Sequence, residues 1–115
     1  KGFPGPYASY VYKTIGNRGI LQLMENGKNR QAEFRSVVAY CSSELKSPIC
    51  FNGEALGEIT KERRGDHQSG FGFDPIFKPT NCNKTFAEMS LAEKNRHSHR
   101  AKALRKFAEW YKKAP

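Results

Sequence analysis

Cysteine is scarce in this chain: Cys41, Cys50 and Cys82 are its only three, in 115 residues. Their number is odd and no two stand in a C-x-x-C spacing, which argues against both a disulfide framework and a zinc site. The expectation is therefore a cytoplasmic protein with reduced thiols. Long apolar runs are missing too. Nothing approaches the roughly 20 residues that cross a bilayer, and no charged-then-apolar leader opens the chain, so a soluble protein without a membrane partner is expected. Acids are the third shortage, 11 against 20 Lys and Arg, for a formal charge of +9. An excess of that size favours polyanionic partners, whether nucleic acid, nucleotides or an acidic membrane face.

What is present fits one globular domain. The hydrophobic fraction is 37% with 12% aromatic, enough for one core, and the charges are dispersed rather than blocked. Pro4-Gly5-Pro6 is turn chemistry. The spacing of Tyr7, Val11 and Ile15 predicts a helix ending at Gly16-Asn17. Asn17 is expected to cap a second helix with Ile20, Leu23 and Met24 as its apolar stripe and Gly27 as its end. "QAEFRSVVAYC" alternates with period two and predicts a strand, half buried at first and more fully buried towards its end. "PICFNGEALGEI" reads as two strands joined at an Asn52-Gly53 turn. "TKERRGDHQSG" is a polar loop. Ser90 and Glu93 form a capping box for one helix. A last helix opens at Ser98 with Ala101, Leu104, Ala108 and Tyr111 on one face and Phe107 beside them.

Two stretches carry chemistry. "GFGFDPIF" places Phe71 and Phe73 around Gly72, followed at once by Asp74. Such rings serve either as core plugs or as flat walls for a planar base, with Asp74 an acceptor at its edge. "EKNRHSHR" gathers Lys94, His97, His99 and Arg100 where two helices meet. Cations at a helix N-terminus do not help the helix, whereas backbone amides there favour an anion or a carbonyl oxygen. Lys102, Arg105, Lys106, Lys112 and Lys113 read as a solvated face. Together the two stretches make the inventory of a nucleotide pocket. The alternative is a basic nucleic-acid-binding module, marked by steep salt dependence.

"PGPY", "FRSVVAYC", "GFGFDPIF", "TFAEM" and "EKNRHSHRAKAL", in this order, resemble the inosine triphosphate pyrophosphatases, the Ham-like enzymes that clear deaminated purine nucleotides. The resemblance runs from Gly2 to about Tyr111. It implies an α/β fold with a mixed elongated sheet flanked by helices, two lobes and a cleft for substrate. It also implies a magnesium-dependent cut of ITP, dITP or XTP into monophosphate and pyrophosphate, by a homodimer. By motif, Phe71, Gly72, Phe73 and Asp74 would bind the base, Lys94 would reach the nucleotide, and His99 and Arg100 would read the purine edge. Nucleic acid is then not expected as a partner. Arg100 can only donate, which suits a 6-keto purine and leaves adenine unmatched.

Parts of the family pattern are absent. The Ser/Thr-x-Asn-x-x-Lys loop, the metal-binding acid and the Asp-Ser-Gly segment with the catalytic carboxylate would all stand before Lys1. Residues 1–115 are therefore expected to be the later half of one such domain, carrying base recognition, with neither a catalytic residue nor magnesium ligands, and inactive alone. Glu54, Glu58 and Glu62 have spacings of surface positions. Ser9 stands where some relatives carry a base, and it is assigned no role.

Overall fold

The computed structural model describes residues 2–65 and 72–114. A 3-10 turn at Gly5–Tyr7 leads into helix α1, Ala8–Thr14, and helix α2, Gly16–Leu23. Strands β1, Gln31–Tyr40, β2, Ile49–Ile59, and β3, Phe77–Pro79, form a sheet in the order β1-β2-β3. Helices α3, Leu91–His97, and α4, His99–Lys113, end the chain. Where a mixed sheet was expected, the three strands among the described residues run antiparallel. β2 and β3 pair Gly57 with Pro79, Glu58 with Lys78 and Ile59 with Phe77, and Lys78 Nζ reaches Glu58 Oε1 at 3.2 Å along this register.

Two compact units share the chain. The first comprises Lys1–Ala32 and Gly57–Met89, the second Glu33–Leu56 and Ser90–Pro115. The core of the first is built from Val11, Ile20, Phe73, Ile76, Phe77, Phe86 and Met89, with Phe77 and Phe86 rings 5.3 Å apart. Arg30 is tied into it by its whole guanidinium, which donates to the carbonyls of Met24, Ile59 and Thr60 at 2.9, 2.8 and 2.6 Å. Thr85 caps the 3-10 turn Phe86–Glu88 through a reciprocal box with Glu88, and the Thr85 hydroxyl lies 3.4 Å from the Arg64 carbonyl. In the second unit, Tyr40 and Phe51 from the strands meet Phe107 and Trp110 from α4, with ring centres 5.5 to 5.7 Å apart.

Several expectations change. α1 and α2 break at Gly16, which takes φ +64°, so the N-cap of α2 is Ile15 and Asn17 lies inside the first turn. Ile20 is buried as expected, but Leu23 is largely exposed, and α2 ends there rather than at Gly27. β1 keeps its alternation to its last residue, and Val37 is 59% exposed, so its end is no more buried than its start.

Asn52-Gly53 is not a turn. β2 runs straight through it as one strand of 11 residues. A side chain at Gly53 would stand 2.5 Å from the Ala103 amide nitrogen and 3.1 Å from the Ala103 Cβ. The glycine therefore serves close approach of α4 to the strand, the second of the two uses of glycine inside a strand. The buried face of α4 is also rotated from the expected one. His99, Ala103, Phe107 and Trp110 face inward at i, i+4, i+8 and i+11, while Leu104 and Tyr111 are more than half exposed.

Candidate functional site

The segment Gly72–Asp74 belongs to the first unit. Phe71 lies outside the described residues. Phe73 is 6% exposed, and its ring meets Tyr12 of α1 edge to face at 5.5 Å. Of the two uses open to this ring, plug or wall, the first is the one seen. Asp74, 1% exposed, begins the 3-10 turn Asp74–Ile76, where a carboxylate suits the positive end of the turn. Gly72 is required by its neighbour, because a Cβ there would lie 2.6 to 2.7 Å from the Tyr12 ring. Its carbonyl accepts a hydrogen bond from Asn17 Nδ2 at 3.1 Å. Backbone ties hold the C-terminal flank, Thr60 N–H to the Ile76 carbonyl and Arg64 N–H to the Pro75 carbonyl, at 2.9 and 2.8 Å.

Lys94, His99 and Arg100 belong to the second unit. The Ser90–Glu93 capping box is formed, with both bonds at 3.2 Å, so α3 starts where the sequence places it. α3 ends at His97, and Ser98 joins the two helices in an extended conformation. Ser98 Oγ accepts from the amides of Arg100 and Ala101 at 3.2 and 3.4 Å. The expectation of open amides at this helix start is thereby corrected: two of the first-turn donors are spent on the cap.

His99 is 4% exposed and its ring packs against Phe34 of β1, with centroids 4.9 Å apart. Burial, and then the like charges of Arg100, Lys94 and Lys102, push its pKa down from 6.5 to about 4. At neutral pH the imidazole is uncharged, with one nitrogen able to donate and the other to accept. Lys94 is half-buried and the Arg100 side chain is exposed, so three cationic groups, Lys102 included, act on one neutral ring. Lys102 is not merely a solvated residue, because its Nζ donates to the Glu54 carbonyl at 2.9 Å. His97 lies at the end of α3 and is half-buried.

Tyr12, Asn17, Phe34 and Lys102 were given no part in the site by sequence. Phe34 was recoverable from the inward phase of the β1 alternation. Asn17 was not, since only the fold brings it to Gly72. Two open surface depressions, of about 500 and 570 Å³, are lined by charged side chains such as Lys106 and Glu109 in one and Arg18 and Lys61 in the other. Neither holds a residue of the two motifs. Among the described residues no three His, Cys, Asp or Glu side chains come together as a cation site. Nor is any described helix long and apolar enough to cross a membrane.

The described residues form an α/β unit with a neutral histidine among cations at a helix junction. The comparisons with known proteins are narrower. The Ham1 family model matches residues 1–110, and the chain belongs to that family. It is 56% identical over 111 residues to the dITP/XTP pyrophosphatase of Methanopyrus kandleri, covering 96% of this chain and 57% of that protein. The dITP/XTP pyrophosphatase of Thermococcus kodakarensis is also 56% identical, over 97% of this chain and 58% of its own. The structure of a HAM1 protein from Coxiella burnetii superposes with a TM-score of 0.83 at 31% identity, covering 97% of this chain and 60% of that one. The chain thus spans a little over half the length of the curated relatives it matches.

Proposed function

We propose that residues 1–115 are the later portion of a pyrophosphatase for deaminated purine nucleoside triphosphates, and that they carry its base-recognition part. The reaction would cleave dITP, XTP or ITP to the monophosphate and pyrophosphate. Water attack on a phosphoanhydride needs a base and a cation to absorb phosphate charge, and a resident Mg²⁺ would supply the latter when bound. Its ligands and the catalytic carboxylate would come from outside this chain, which on that account is inactive alone. A homodimer and a long mixed sheet shared with the missing portion belong to the same reading.

The observation that carries the proposal is the neutral His99 beside Arg100 and Lys94. A 6-keto purine offers an oxygen acceptor at the edge where adenine offers an amino donor. Arg100 rewards the first and leaves the second unmatched, while an uncharged imidazole can supply either partner to a neighbouring ring position. Lys94 would meet the nucleotide, and Gly72, Phe73 and Asp74, with Phe71, would form the segment against the base. In this reading the Phe73 ring anchors the segment from within and its backbone faces the ligand.

The test is pyrophosphate release from inosine triphosphate by the purified chain with magnesium, alongside its affinity for inosine and adenosine monophosphates. No turnover with preferential inosine binding is the expected result. Turnover would refute the inactive half. Binding that ignores the base but collapses with salt would instead favour a nucleic-acid module.

A further inference from the structure

Asn17 has no part in the family motifs, yet it is the side chain that grips the GFGFD segment from 55 residues away. It is 9% exposed, and its Nδ2 donates to the Gly72 carbonyl at 3.1 Å. Its own Oδ1 is buried without a hydrogen-bond partner among the described residues. A buried amide with one half unsatisfied is costly, and that cost offsets much of what the single hydrogen bond to Gly72 contributes. Stability alone therefore gives a poor account of an asparagine here.

Its geometry gives a better one. A peptide unit is planar, with carbonyl and N–H pointing in opposite directions. Holding the Gly72 carbonyl towards α2 thus fixes the direction of the Phe73 N–H as well. Tyr12 completes the hold, its ring lying over Gly72 where any Cβ would collide and meeting the Phe73 ring edge-on. Two side chains from the α1–α2 corner thereby set the orientation of one peptide plane in the segment that carries the base-binding motif.

We infer that Asn17 is a positioning residue for base selectivity: it sets the Gly72–Phe73 peptide plane, and with it the discrimination between 6-keto and 6-amino purines. This rests on the base-recognition reading above. Asn17→Leu keeps the shape and removes the donor, whereas Asn17→Asp keeps the shape and leaves only acceptors facing the Gly72 carbonyl.

The experiment measures the affinities of the 115-residue chain and both variants for inosine 5′-monophosphate and adenosine 5′-monophosphate, with melting followed in parallel. The wild type should prefer inosine. Both variants should lose that preference by roughly tenfold, about the worth of one well-placed hydrogen bond, whatever their melting temperatures. A structural role would show the reverse, lower melting with the preference intact, and would overturn the proposal. A wild type without any preference overturns the base-recognition reading itself. Should a variant fail to fold, the wild type decides. Its Asn17 side-chain amide and Phe73 backbone amide resonances should shift with inosine monophosphate and not with adenosine monophosphate, and equal or absent shifts would sink the assignment.

Discussion

Acid should weaken the protein in a particular pH window, and His99 should be the cause. Folded, its pKa lies near 4, because burial strips water from the imidazolium and Arg100, Lys94 and Lys102 repel it. Unfolded, it returns to 6.5. Between these values the unfolded chain binds a proton that the folded chain refuses, so stability falls as pH falls. Below about 4 both states carry the proton and the contribution of His99 becomes constant. At about 1.4 kcal/mol per pH unit, the window is worth up to about 3 kcal/mol. Glu88 does not imitate this effect. Its carboxyl is held below 4.5, chiefly by the Thr85 amide, so its own contribution is lost only as pH falls from about 4.5, at the acid end of the window, and the slope between pH 5 and 6.5 belongs to His99. Equilibrium urea unfolding at intervals from pH 7 to pH 4 would measure the slope, and His99→Gln, neutral throughout, should flatten it. Proton NMR of the three histidines supplies the direct check. A His99 ring titrating near 6.5, or a His99→Gln variant with the same slope as the wild type, would refute the reasoning.

Other perturbations follow from particular contacts. Gly53→Ala should destabilise the chain by roughly 1 to 3 kcal/mol, because the new methyl meets the α4 backbone at Ala103 rather than a movable side-chain end. Denaturant midpoints would show it, and an unchanged midpoint would mean that α4 does not lie on β2 at this point. Thr85→Val should cost about 1 kcal/mol by removing the cap, with Thr85→Ser restoring most of the loss, again read from denaturation. Arg30→Met leaves three carbonyls without their guanidinium donor and should cost roughly 2 to 3 kcal/mol. Arg30→Lys, with one compact donor group, should recover only part. Arg100→Gln should raise the His99 pKa part of the way towards 6.5, since Arg100 is the second cause after burial.

The elements that sequence located well are those specified within a few residues. The Ser90–Glu93 capping box, the alternation of β1 and the start of α4 at Ser98 all depend on neighbours no more than a turn away, and each stands where its pattern puts it. The failures are long-range. Asn52-Gly53 carries a hairpin signal, but the same glycine also satisfies a packing demand from a helix some 50 residues later, and local chemistry cannot tell the two apart. The inward face of α4 was misassigned for a related reason. The spacing made Ala101, Leu104, Ala108 and Tyr111 a stripe, whereas His99, Ala103, Phe107 and Trp110 fill the space left by Gly53, Phe34, Tyr40 and Phe51.

That second error bears on the site. Read as a surface residue, His99 is an ordinary base, half charged near pH 6.5 and one more cation in a basic tail. Placed on the buried face of α4, against Phe34, it is the neutral member of a cationic cluster. The residue identity is the same in both cases, but the chemistry offered to a purine differs. A charged imidazolium only donates, duplicating Arg100, while a neutral imidazole can also accept. In the proposed function, recognition of a deaminated base would thus depend on where α4 packs. Gly53, which touches no ligand in this reading, permits that packing by carrying no side chain. Any residue larger than glycine at position 53 should therefore raise the His99 pKa as well as lower stability, and the two effects should scale together.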